Sequence, residues 1–102
     1  MAVITKSTAL TGNWKEVTAA LEMADGSSYA VEVQDDAETG QGHVIAVATN
    51  SNDAPGANVR GHNWYPCTAA GDGTKQTFPK KAGRFWWMKT TGPDFHAVAT
   101  LI

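Results

Sequence analysis

Three histidines, His43, His62 and His96, and one cysteine, Cys67, are the side chains best suited to nucleophilic or acid–base chemistry in this chain. A Cys–His pair becomes a nucleophile when the imidazole takes the thiol proton. The run Trp64-Tyr65-Pro66-Cys67-Thr68-Ala69 carries no signature of such a site, and a lone cysteine in a β domain reads as a small buried apolar residue. The histidines follow no pairing pattern, so structural roles account for them. There is no Gly-x-Ser-x-Gly elbow and no phosphate-binding Gly-Lys-Ser or Gly-Lys-Thr loop. Asp35, Asp36 and Glu38 lie close to Gly40 and Gly42, and hard cations favour clustered carboxylates. Their spacing does not follow a calcium loop, and a solvated acidic loop explains them. No Cys or His spacing suggests zinc. The reading is a protein with no catalytic residues, no metal and no cofactor, and not an enzyme.

The aromatic residues carry more information. Arg84-Phe85-Trp86-Trp87-Met88-Lys89 has large apolar groups at successive positions. In a strand, alternation sends Phe85 and Trp87 to one face and Trp86 and Met88 to the other. Only one face of a strand meets the core of a two-layer sandwich. The other face then needs a cover. A loop such as 50–58 supplies one candidate, and a partner surface supplies another, since Trp, Met and Arg are enriched at interfaces. The interface expectation rests on Trp64, Tyr65, Arg84, Trp86, Trp87 and Met88, with one of Trp86 and Trp87 facing out. Aromatic platforms also stack on sugars, and Trp14, Trp64, Tyr65 and Trp86 or Trp87, with Asn63 and Arg84 nearby, form the candidate set for that chemistry.

The elements that must hold these residues are short strands. Residues 2–10 alternate as a first strand, and 11–13 read as a turn. Residues 13–25 offer a capping box, Asn13 with Glu16 three positions on, but Val17 and Thr18 are β-branched and the apolar stripe is thin. A strand with Val17, Ala19 and Leu21 on one face is the preferred reading there. An Asp25-Gly26 turn leads into 28–34, with Tyr29, Val31 and Val33 inward and Ala30, Glu32 and Gln34 outward. Residues 43–49 are apolar on both faces, as in a central strand covered on both sides. Further strands are read at 61–66, 75–78, 84–90 and 95–102, the last two joined as a hairpin by Thr91-Gly92-Pro93-Asp94. The core expected from this alternation is Val17, Leu21, Tyr29, Val31, Val33, Val44, Phe85 or Trp86, Val98 and Leu101.

About eight short strands at roughly 8–12-residue spacing predict an all-β fold, a two-sheet antiparallel sandwich (jelly-roll-like) or a related barrel. At 102 residues the chain has the size of one domain spanning 1–102. Its 42% hydrophobic content is globular, and its net charge of −2 is mild. Basic residues are scattered except for Lys80-Lys81, so few phosphates can be neutralised together and nucleic acid is not an expected partner. No apolar run approaches the roughly 20 residues of a membrane-spanning helix, and the start reads as no secretory signal. One cysteine cannot form an internal disulfide, in keeping with folding in a reducing cytoplasm.

From Trp64 onward the layout resembles that of small β-sandwich structural proteins of tailed-phage virions, in particular head decoration (cement) proteins. The Trp64-Tyr65-Pro66 strand, Gln76-Thr77-Phe78-Pro79, then Gly83 with the aromatic strand, a tight glycine-containing turn and a terminal alternating strand carry the likeness. It covers about the last 40 residues. The resemblance implies a non-enzymatic virion structural protein that binds the major capsid protein or another virion protein. It implies a homo-oligomer on the particle, assembly in the host cytoplasm and a final place on the virion surface. The alternative from the aromatic platform is a carbohydrate-binding or host-recognition module on a tail appendage.

Overall fold

The computed structural model describes residues 5–35, 44–50, 52–56, 62–64, 75–91 and 95–102. Within them run β1 (Thr5–Leu10), β2 (Lys15–Glu16), α1 (Val17–Ala20), β3 (Ser28–Asp35), β4 (Val44–Thr49), β5 (His62–Trp64), β6 (Lys75–Pro79), β7 (Phe85–Thr90) and β8 (Phe95–Leu101). They form two four-stranded sheets, β1-β8-β3-β6 and β2-β7-β4-β5, and every pairing is antiparallel. The fold is an all-β two-sheet sandwich, as the alternating runs predict.

The core is one cluster fed by both sheets. The first sheet supplies Leu10, Tyr29, Val31, Val33, Phe78, Phe95, Ala97 and Ala99, and the second supplies Val44, Ala46, Trp86 and Met88. Val31 and Val33 are fully buried, and Tyr29 beside them is buried too, its hydroxyl accepting the Ala24 N–H at 2.7 Å. The alternation of 28–34 therefore reads correctly on its inner face. Its outer face holds one departure, because Glu32 is only 6% exposed. Gln34 Nε2 donates to its Oε1 at 3.4 Å. In β8 the inward set is Phe95, Ala97 and Ala99, with Leu101 packed at its margin. The expectation of a buried Val98 is thus corrected: it shares the outer face with Glu32, its register partner.

Residues 13–25 correct the strand reading. Only Lys15–Glu16 is extended, and Val17–Ala20 closes one helical turn. Glu16, not Asn13, is the N-cap: its carboxylate accepts the Ala19 N–H at 2.8 Å and the Thr18 hydroxyl. Such caps satisfy donors that the first turn leaves without intrahelical partners. The turn ends with Glu22 N–H on Ala19 O at 3.1 Å and Met23 N–H on Thr18 O at 2.9 Å. This is a Schellman closure with a left-handed Glu22 (φ 51°) where glycine is usual. Val17 and Leu21, four residues apart, come to one side and are buried.

The Asp-Gly signal does mark a turn. Ser27 N–H reaches Ala24 O at 3.2 Å across Gly26, whose φ of +84° suits glycine alone. A matching turn at 81–84 places Gly83 at φ +76° and aims Arg84 into β7. The two turns are tied together by Gly26 N–H on Lys80 O and Lys80 N–H on Ser27 O. The Lys80 ammonium is buried there, 2.5 Å from Asp25 and 2.8 Å from the Lys81 carbonyl.

The expected hairpin of β7 and β8 does not form. The two strands lie in different sheets, β7 between β2 and β4 and β8 between β1 and β3. A chain that leaves one sheet for the other can bury both strands centrally, which a hairpin at a sheet edge would not do. β4, between β7 and β5, is central as expected.

Candidate functional site

β7 sits centrally in its sheet, and alternation divides its side chains as expected. Trp86 and Met88 point into the core, where Met88 is 0% exposed and Trp86 is 8% exposed. The Trp86 ring stacks on Phe78 of β6 at 4.1 Å between centroids and 20° between planes. Its indole N–H donates to Pro79 O at 3.1 Å. This stack joins the two sheets through an aromatic contact, worth about 0.5–1.5 kcal/mol beyond the area it buries.

Phe85, Trp87 and Lys89 point to the outer face of the second sheet. The register sets Trp87 opposite Glu16 and Val47, Phe85 opposite Thr49, and Lys89 opposite Ile45. Opposed residues in an antiparallel ladder share a face, so Ile45, Val47, Thr49 and Glu16 complete it. Trp87 is 7% exposed, and its indole N–H donates to Thr49 Oγ1 at 3.0 Å. Phe85, Ile45 and Val47 are half-buried.

Trp14, just before β2, joins the same face. Lys89 Nζ lies 4.7 Å from the centre of its ring, a cation–π distance. Its indole N–H donates to Gly56 O at 3.4 Å, which draws the connection at 52–56 against this side of the sheet. Arg84 is exposed where the chain enters β7.

The expectation that one tryptophan of β7 is left to water is overturned for both. Trp86 and Met88 are core residues. Trp87 lies on the outward side, yet it is 7% exposed and hydrogen-bonded to Thr49. The connection at 52–56, which falls within the loop 50–58 offered as a cover, is tied to this side of the sheet through Trp14. Tyr65 lies outside the described residues, as do Cys67, His43 and the acidic residues Asp36 and Glu38; Trp64 ends β5, and its neighbour Asn63 is in register with Ile45. His96 lies on the outer face of the first sheet, opposite Gln34.

The outer-face aliphatic residues Ile45 and Val47 were not singled out from sequence. The available signal was the run Val44-Ile45-Ala46-Val47, apolar on both faces, which demands a cover on each side. No protein-family model, curated protein or solved structure matches this chain.

Proposed function

We propose that this chain is a non-enzymatic structural protein of a tailed-phage virion, a capsid decoration protein that binds the assembled coat lattice and stabilises it. The observation that carries the reading is the outer face of the second sheet. Ile45, Val47, Phe85 and Trp87 lie on the side away from the core, and Ile45, Val47 and Phe85 retain part of their surface. A sandwich of this size gains nothing in solubility from an aromatic–aliphatic outer sheet face, whereas a partner surface removes that area from water. Interface energy also concentrates in Trp, Tyr and Arg residues. The layout of the last 40 or so residues supports the same class of protein.

The interface moves accordingly. Trp86 and Met88 leave it, and Ile45, Val47 and Phe85 join Trp87 and Arg84. The partner is the major capsid protein or another virion protein, met on the particle surface.

The test is binding of purified protein to particles that lack it, with electron microscopy of the native particle for location. Phe85→Ser and Val47→Ser should each keep the β circular-dichroism signature and weaken particle binding by tenfold or more. Unchanged binding by both variants overturns the assignment of this face. Density on a tail appendage, with binding competed by glycans, would transfer the face to host recognition.

A further inference from the structure

Among the described residues the two sheets end at four edge strands, β1 and β6 in one and β2 and β5 in the other. An edge presents alternate N–H and C=O groups outward and templates another strand unless something blunts it. Three of these edges are short or blunted. β2 has two residues, β5 has three, and β6 runs from Lys75 to Pro79. Proline and lysine are common edge protection.

β1 differs. Its six residues, Thr-Lys-Ser-Thr-Ala-Leu, pair with β8 in unbroken register from Thr5↔Thr100 to Leu10↔Phe95. Its outer-face side chains Thr5, Ser7 and Ala9 are small and exposed. Its one charge, Lys6, is held 2.7 Å from Glu22. At the far end Lys15 Nζ donates to the Ala9 carbonyl at 3.2 Å, a contact from a flexible side chain that a backbone N–H can replace.

We propose that β1 pairs antiparallel with β1 of a second copy about a two-fold axis through Ser7, merging two four-stranded sheets into one. Residue 5 then faces residue 9, residue 6 faces residue 8, and Ser7 meets its own copy. This register keeps the outer-face set Thr5, Ser7 and Ala9 on one side of the joined sheet. It places each Lys6 opposite Thr8, so no like charges meet. The two Ser7 hydroxyls come together across the axis, where each can donate to the other. A second copy satisfies these conditions with one surface used twice, as an isologous dimer requires. The proposal is independent of any role on a particle.

Sedimentation equilibrium of the full chain should show a concentration-dependent dimer. Hydrogen exchange should show alternate β1 amides fast when dilute and all slowed in the dimer. Ser7→Lys and Ser7→Glu each place like charges face to face on an exposed position, so the monomer should stay folded while dimerisation weakens by tenfold or more. Mixing the two variants should restore a dimer. A chain that is monomeric at every concentration overturns the proposal, as does a dimer indifferent to Ser7→Lys. Protection of β1 that appears only with particles present also overturns it, assigning the edge to a foreign strand.

Discussion

The outer faces of the two sheets are built from different material. The first sheet presents Thr5, Ser7, Ala9, Ala30, Glu32, Gln34, His96, Thr100, Lys75 and Thr77, mostly polar or small, with Val98 the one larger aliphatic residue among them. The second presents Ile45, Val47, Phe85 and Trp87, with Thr49 and Lys89 among them. Both faces lie outside the same core, so the demands of folding alone do not account for the contrast. Sheets that face water on one side show an apolar-in, polar-out alternation. The first sheet follows that rule, and the second departs from it where β4 and β7 run side by side. The connection at 52–56 is tied to that face through Trp14, and the surface that Ile45, Val47 and Phe85 retain is what the proposed interface rests on.

The largest expected effect tests which tryptophan belongs to folding. Trp86→Ala should destabilise by about 3–5 kcal/mol in denaturant unfolding, because it removes a core indole and leaves a cavity beside Phe78. Val31→Ala or Val33→Ala, on the inner face of the opposite sheet, should cost about 1–3 kcal/mol. A change of a few tenths at both sites would mean that β3 is out of register.

Trp87→Ala sharpens the comparison more than any core variant. Its indole is enclosed but lies outside the core, with one hydrogen bond to Thr49. A cost of about 2–4 kcal/mol is expected, from lost burial and the unmade bond, together with loss of particle binding. A cost as large as that of Trp86→Ala would make the outer face a second core, not an interface. Thr77→Ala, on the outer face of the first sheet, should stay within about 0.5 kcal/mol and leave binding unchanged. The smallest effect concerns charge. Neither face should retain DNA at physiological salt, since Lys80 is buried against Asp25 and withheld from any basic patch. Tight, salt-sensitive binding would reopen 75–84 as a basic site.

Much of the fold was legible because strand alternation is a local property. Tyr29, Val31 and Val33 face inward for the reason their spacing suggests, and β7 splits its side chains as period two requires. The helical turn at Val17–Ala20 was not legible. Its cap is a glutamate and its left-handed closing residue is Glu22, where a sequence reader looks for serine, asparagine or glycine. The candidate site was half legible. Trp87 stood out by type, but the aliphatic residues beside it come from β4, some 40 positions earlier, and only pairing brings them together.

By itself the sequence determined the class of fold, the position of most strands, the turn at Gly26, and the inner face of β3. These follow from local rules: alternation, the conformational freedom of glycine, and the burial of apolar side chains. The tertiary structure decided which strands pair and in which sheet, and so which residues cover which. Adjacent in sequence, β7 and β8 suggested a hairpin, yet each finds its partners in a different layer. The same long-range pairing set Trp87 beside Glu16 of β2 and Val47 of β4, and no local pattern in 84–90 specifies those neighbours.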